Sequence, residues 1–306
     1  MVPDRQTGVA TVSLHGWIIL DKPLGLGSTA AVSAVKRALR DGDYPRAKVG
    51  HGGTLDPLAT GVLPIAIGEA TKLCGRMLDA SKVYRVTIRF GIGTDTLDAE
   101  GTVVARSAVV PAAGAVAAIL PRLTGAIDQV PPAYSALKID GERSYDLARR
   151  GDAAPLASRS VHIHSIAVIA EAPGEATLCA HVSKGTYIRS LARDVAQTLG
   201  TVGHVSMLRR TRAGPFGLDD AISLDFLAEK ARDRALEDIT LPLRAALADI
   251  PAIALTPEQA GLVRQGRVLT GIAAEDGIAL AMLDQIPVAL VDCRAGNLRV
   301  ERGFNL

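Results

Sequence analysis

Apolar and polar side chains alternate through residues 84–90, which read YRVTIRF. Tyrosine, valine, isoleucine and phenylalanine occupy the even positions, while two arginines and a threonine occupy the odd ones. A period of two places these sets on opposite faces of a β-strand. The segment therefore predicts a strand whose sheet has one face on a core and one polar face. Segments 161–169 and 176–182 predict a further pair of strands.

Apolar residues recur at helical spacing after Ser28 and again after Thr186. We expect Ser28 to open the first helix, and Thr186 to cap the second, which ends at Gly200. A third helix is predicted over residues 112–123. These strands and helices together indicate an α/β domain.

With 306 residues, the chain exceeds the size at which one hydrophobic core usually stops growing. Its character changes near residue 250, where a capping box begins at Thr256 and short strand patterns follow. We predict a large domain over residues 1–249 and a small β-rich domain over residues 250–306. The net charge is only +2, so any surface for a polyanion must concentrate positive charge locally.

Three cysteines lie far apart and form neither a disulfide framework nor a zinc motif, which indicates a reducing cytosol. No apolar run approaches the roughly 18 residues needed to span a bilayer. His162 and His164 would share one strand face, but no acid or cysteine stands at a spacing suited to a metal. We therefore expect no metal and a cytoplasmic protein.

Asp56 is the only acidic residue between Gly50 and Gly68. An aspartate before a proline is a natural N-cap, so Asp56 and Pro57 are expected to start a helical turn if their role is structural. The alternative is a rigid, nearly uncharged loop that holds one carboxylate within reach of a substrate. That alternative requires a cation elsewhere in the chain to keep the carboxylate ionised.

Six segments in the same order resemble the TruB-type tRNA pseudouridine-55 synthases, and together they span about two thirds of the chain. Several separated motifs in register are far more specific than one motif alone. The segments are DKPLGLGS (21–28), GHGGTLDPLATGVLPIAIGEATK (50–72), SKVYRVTIRFGIGTDTLDAEG (81–101), PPAYSALKIDGERSYDLAR (131–149), KGTYIRSLARDVAQTLG (184–200) and LRRTRAGPF (208–216).

The resemblance implies a pseudouridine synthase fold, with a mixed, mainly antiparallel central sheet flanked by helices. It also implies a small β-rich C-terminal RNA-binding domain of the PUA-like type. The implied reaction is isomerisation of uridine to pseudouridine at position 55 in the T loop of tRNA, by base flipping and without a cofactor. We expect the tRNA T stem-loop as partner, no membrane, no obligatory protein partner and a monomer.

Three catalytic residues follow from the same resemblance. Asp56 matches the nucleophile, Tyr84 matches a ring that stacks on the flipped uracil, and Arg189 matches an arginine that pairs with a carboxylate. We expect Asp98 to be a second partner for Arg189. From the residues alone, Tyr84 is equally a core aromatic and Asp98 a turn acid. Arg189 lies about 100° round its helix from the buried stripe, which predicts an exposed, solvated side chain.

The resemblance makes His51 the residue that fills the space left by the extruded base. Tyr187 and Leu208 match pocket positions, although periodicity alone assigns both to the core. Basic residues in the insert 129–151 and after residue 208 are expected either to meet RNA phosphates or to remain solvated. These residues are Arg143, Arg149, Arg150, Arg209 and Arg210.

Three other functions remain open at this point. The first is a tRNA-binding folding helper on the same scaffold, with catalysis incidental. The second is a carboxylate-dependent nucleoside hydrolase, which would need an acid paired with Asp56 and a bound water. The third, a guide-RNA-dependent relative, is disfavoured by the bacterial-type insert.

Overall fold

The computed structural model describes residues 13–135, 137–139, 141–152 and 156–306. The first part of the chain forms β1 (Gly16–Lys22), α1 (Ser28–Asp41), β2 (Val49–His51), β3 (Ala59–Ile67), α2 (Cys74–Asp79), β4 (Lys82–Phe90), β5 (Ile92–Thr94), β6 (Val103–Arg106), α3 (Ala115–Ile119), β7 (Gly125–Gln129), β8 (Lys138–Ile139), β9 (Glu142–Arg143) and α4 (Ser144–Arg149). The second part forms β10 (Arg159–Ala172), β11 (Glu175–Val182), α5 (Ile188–Thr198), β12 (Gly203–Ala213), β13 (Phe216–Gly217), α6 (Leu224–Arg232), β14 (Leu241–Pro242), β15 (Ala252–Ala254), α7 (Pro257–Arg264), β16 (Gly277–Leu283), β17 (Ile286–Arg294) and β18 (Asn297–Gly303).

Ten of the described strands form one large sheet. Its main path runs β14-β1-β3-β12-β4-β11-β10-β7, with β2 attached to β3 and β13 attached to β12. The pair β3–β12 is parallel, and the other described pairs of this sheet are antiparallel. The predicted mixed, mainly antiparallel sheet is therefore confirmed, as are the strands at 84–90, 161–169 and 176–182.

The two faces of the large sheet are covered differently. One face packs against α1, α5 and α6 and forms the larger core. The opposite face contains Trp17, which is fully buried, packs 5.6 Å from the ring of Phe216 and donates from Nε1 to Leu243 O at 3.2 Å. Leu290 and Phe304 of the C-terminal part belong to the same apolar cluster. The C-terminal part therefore docks on the sheet face that lies away from α5.

The C-terminal part forms a four-stranded sheet in the order β15-β16-β17-β18. Its own apolar core includes residues of α7. The capping box predicted at Thr256 is confirmed, because Thr256 Oγ1 accepts from Gln259 N–H and Gln259 Oε1 accepts from Thr256 N–H. The described helices include none that is long and apolar enough to cross a membrane.

Two predicted helices differ from the observed ones. The helix expected over 112–123 is α-helical only in α3 and continues as a 3₁₀ segment, Leu120–Leu123, where Pro121 lacks a backbone donor. The predicted cap at Thr186 is wrong, because the N-cap of α5 is Tyr187 and the Thr186 hydroxyl donates to Ser183 O. Gly200 follows α5 with a φ of +72°, as predicted.

The parallel pairing of β3 with β12 depends on Gly61. Its φ is +102°, and a Cβ there would lie 2.1 Å from the carbonyl oxygen of Arg210. We expect Gly61→Ala to lower the free energy of unfolding by at least about 2 kcal/mol, because both the backbone and the strand contact would be strained. Urea unfolding would measure this.

Gly75→Ala is the matched control, because a Cβ at Gly75 meets no atom within 4 Å and the residue lies in α2. This control is expected to be neutral or stabilising. Equal unfolding midpoints for the two variants would contradict the role assigned to Gly61.

Candidate active site

Asp56 lies in the loop between β2 and β3. Ala59 N–H donates to Asp56 O at 3.0 Å, so a single turn leads directly into β3 and no helix starts at Pro57. The expected turn at Pro57 is therefore present, but Asp56 does not cap a helix, because the residues from Ala59 onward belong to a buried strand. The Asp56 side chain is 46% exposed, which leaves its carboxylate accessible from solvent.

Arg189 projects from the first turn of α5 toward this carboxylate. Its Nη2 lies 3.0 Å from Asp56 Oδ2, and its Nη1 lies 3.6 Å from Asp98 Oδ2. Nη1 also donates to Thr96 O, and Nη2 to Tyr134 O, both at 3.0 Å. The side chain is only 8% exposed, so the expectation of a solvated arginine is wrong. Segments distant in sequence cover it, which helical periodicity does not reveal.

Asp98 is buried and holds the far side of Arg189. Its Oδ1 accepts from the Thr96 hydroxyl at 2.5 Å and from Glu100 N–H at 3.1 Å. Asp98 is thus both a turn acid and an ion-pair partner. The guanidinium joins an accessible carboxylate to an inaccessible one, so only Asp56 is available to a substrate.

Two side chains from the first motif fix the residues on either side of Asp56. Ser28 Oγ lies 2.8 Å from Leu55 N and 2.9 Å from Leu55 O. The Lys22 ammonium donates to Pro57 O at 3.3 Å, and also to the carbonyls of Pro23 and Leu26. Burial lowers the pKa of Lys22 to about 8, against an opposing effect of Asp56. Sequence reasoning missed this lysine, although a lysine at the end of an apolar strand was a usable signal.

A small cleft brings Asp56, Asp98 and Arg189 together with Leu208. Leu208 is buried, so it belongs both to the core and to the wall of the cleft. Within the described chain, Tyr84, His51 and Tyr187 do not line this cleft.

The three other predicted site residues lie on elements around the cleft. Tyr84 is half-buried in β4 and packs against the larger core. Tyr187 N–H donates to Gln129 Oε1 at 2.7 Å. His51 Nδ1 is buried without a hydrogen-bond partner among the described residues. Burial lowers the pKa of His51, which favours a neutral ring suited to packing.

The basic residues expected at phosphates have different surroundings. Arg210 is only 1% exposed and donates to three main-chain carbonyls, so the expectation that it meets phosphate is wrong. Arg209 forms a bidentate pair with Asp21, at 3.0 and 2.7 Å. Successive side chains of a strand point to opposite faces of the sheet, so Arg209 and Arg210 of β12 point in opposite directions.

The insert residues Arg149 and Arg150 are exposed, which suits contact with RNA. Arg149 lies 4.3 Å from the centre of the Tyr145 ring, and Arg150 pairs with Glu142. The side chain of Arg143 lies outside the described part of the structure.

Among the described residues, no group of three histidine, cysteine or acidic side chains is placed to hold a metal ion. The rings of His162 and His164 lie 4.9 Å apart, and the ring of His181 lies 4.6 Å from that of His164.

Comparison with known proteins gives matches along nearly the whole chain. Residues 42–188 match the model for the N-terminal domain of TruB family pseudouridylate synthases, and residues 189–248 match the tRNA pseudouridylate synthase B C-terminal domain. The chain is 62% identical to tRNA pseudouridine synthase B of Novosphingobium aromaticivorans, over 96% of this chain and 98% of that protein. It is 54% identical to the protein of the same name from Zymomonas mobilis, over 96% and 97% of the two chains.

The fold is similar to solved structures of another kind of assembly. A chain in a crystal structure of a Cbf5-Nop10-Gar1 complex matches with a TM-score of 0.72 and 25% identity, over 95% of this chain and 85% of that one. A chain in the archaeal box H/ACA sRNP Nop10-Cbf5 complex matches with a TM-score of 0.71 and 24% identity, over 95% and 86%.

Proposed function

Because the chain belongs to the TruB family of pseudouridylate synthases, we propose that it isomerises uridine to pseudouridine in tRNA, at position 55 of the T loop. The observation that carries the assignment of the site is the contact at 3.0 Å between the half-exposed Asp56 and the buried Arg189. It provides a single accessible carboxylate on a rigid loop, with a fixed counter-charge.

The reaction breaks the N1–C1′ glycosidic bond, turns the uracil and forms a C5–C1′ bond. The C5 proton is lost and N1 gains one, so there is no net redox change. A carboxylate must approach either C1′ of the ribose or C6 of the base. Neither atom is accessible inside a folded RNA loop, so the nucleotide must be flipped out into the cleft.

Asp56 is the carboxylate that meets the flipped nucleotide. The ion pair with Arg189 stabilises its charged form where the RNA excludes water, because a charge-assisted hydrogen bond strengthens as the surroundings become less polar. Asp98 holds the guanidinium from behind and keeps its plane fixed. The loop and the helix thus meet in a geometry prepared before the substrate arrives.

Three aromatic rings around the cleft have separate roles. Tyr84 stacks on the flipped uracil, and its hydroxyl takes part in removal of the C5 proton. Tyr187, with Leu208, encloses the base. A neutral His51 fills the gap that the base leaves in the RNA. The half-buried position of each ring is compatible with contact to an incoming nucleotide.

RNA also contacts the chain outside the cleft. Arg149 and Arg150 of the insert meet phosphates, and Arg209 adds to this surface because its side chain remains 33% exposed beside Asp21. Residues 250–306 form an RNA-binding domain separate from the catalytic domain over residues 1–249. The enzyme works in the cytoplasm as a monomer and without a protein partner.

The test uses the purified chain and an unmodified tRNA transcript in buffer with a chelator and no cofactor. We expect one pseudouridine per tRNA, at position 55. The amount of product should equal or exceed the amount of active protein. Product at another uridine would contradict the position, and release of free uracil would indicate a hydrolase.

A further inference from the structure

Arg210 lies in the middle of the large sheet, directly beneath the loop that carries Asp56. In strand register its neighbours are Gly61 on β3 and Tyr84 on β4. The residue is only 1% exposed. A long cationic side chain in such a place needs a specific reason, because arginine is almost never fully buried unless it is paired.

The partners of Arg210 are main-chain carbonyl groups. Nε donates to Val62 O at 2.8 Å, Nη1 to Thr54 O at 3.0 Å and Nη2 to Gly53 O at 3.4 Å. No carboxylate of the described residues forms a salt bridge with it. Burying a charge without an ion partner is costly, and a guanidinium keeps its charge in proteins. The three carbonyls must therefore supply the compensating interactions.

Two of these carbonyls, those of Gly53 and Thr54, belong to the part of the loop that is least anchored by its own side chains. Gly53 has a φ of +134°, in a region that side-chain-bearing residues rarely adopt, and it has no side chain of its own to anchor it. Ser28 holds Leu55, and Lys22 holds Pro57. Arg210 is the corresponding anchor for Gly53 and Thr54, the two residues before Leu55.

We propose that Arg210 is a positioning residue for the reaction, which fixes Gly53 and Thr54 so that Asp56 meets both Arg189 and the flipped nucleotide. Its planar guanidinium donates to both β3 and the loop. Arg210 thereby links the Asp56 loop to β12, the strand that also carries Leu208 of the cleft. Arg210 does not touch the RNA. This inference rests on the proposed function.

The test compares single-turnover rates of tRNA modification, with enzyme in excess, for Arg210→Gln, Arg210→Lys and the unchanged protein. We expect Arg210→Gln to lower the rate constant about 100-fold, since a misplacement of about 1 Å has an effect of that size. Lysine keeps the charge but cannot donate to all three carbonyls in the same geometry. The rate constant of Arg210→Lys should therefore be at least about 10-fold lower than normal. The dissociation constant for tRNA should stay within about threefold for both.

The matched control is Lys82→Met. Lys82 is another buried cation bonded to three carbonyls, those of Met77, Leu78 and Ala80, and it has no hydrogen bond to the Asp56 loop. We expect a lower melting temperature and a rate constant within about threefold of the unchanged protein. This separates loss of a buried cation from loss of the loop anchor.

A purely structural role would reduce the fraction of active protein, seen as the reaction amplitude, and would leave the rate constant unchanged. That result would overturn the proposal, as would a loss of tRNA affinity that accounts for the slower reaction. If Arg210→Gln does not fold, Arg210→Lys decides, and a rate constant above one tenth of normal overturns the proposal. Absence of product from the unchanged protein would instead refute the proposed function.

Discussion

Asp56→Asn should lower the single-turnover rate constant for pseudouridine formation by at least about 10,000-fold, a loss typical of a residue that reacts with the substrate. The amide keeps the size of the side chain but has no negative charge with which to attack. Because the half-exposed side chain of Asp56 forms a salt bridge only with Arg189 among the described residues, we expect the folded structure to persist. The measurement is product formation with enzyme in excess over an unmodified tRNA transcript.

Affinity for tRNA should change by less than about threefold in the same variant, since binding depends on phosphate contacts and on the shape of the RNA. Asp249→Asn provides the control, because Asp249 is exposed and pairs only with Arg76 among the described residues. A rate constant within tenfold of normal would show that Asp56 does not react with the substrate. A folding helper would keep its effect on tRNA structure in this variant, so a parallel assay of tRNA folding separates the two functions.

Arg189→Met should lower the rate constant by about 1,000-fold and should also destabilise the protein. Removal of one partner of a buried ion pair costs about 3–5 kcal/mol, because the remaining charge is left unpaired. Here the remaining charge is Asp98, whose side chain is 8% exposed. The free energy of unfolding and the rate constant are both measured, at a temperature where the variant is folded.

A double variant separates the two effects of Arg189→Met. Asp98→Asn added to it removes the unpaired buried charge, so part of the lost stability should return. The rate constant should remain low, because Asp56 still lacks its counter-charge. Recovery of rate together with stability would show that Arg189 serves the fold and not the reaction.

Local patterns predicted most of the fold. Alternation at 84–90 depends only on which neighbouring residues are apolar, and that strand is present as β4. The Thr256 capping box is equally local, because both of its hydrogen bonds join residues three apart. Pro121 was a local signal too, and it shortens the α-helix expected over 112–123.

Burial of charged side chains was not predictable in the same way. The helical position of Arg189 indicated exposure, yet carbonyls of Thr96 and Tyr134, more than 50 residues away, enclose it. Arg210 stands beside another arginine, a pattern that predicts either a phosphate contact or a solvated side chain. Its carbonyl partners lie about 150 residues earlier in the chain, and no sequence pattern links them.

Trp17 gives the chain a built-in optical probe at one particular place. It is the only tryptophan in the sequence, and its cluster contains Leu290 and Phe304 from the C-terminal part. Emission from this indole therefore reports on the seam between the two sheets, and the ring also borders the catalytic loop, since a Cβ at Gly52 would lie 3.5 Å from Trp17 Cζ3. Spectroscopic melting curves followed at the tryptophan band describe when that seam opens.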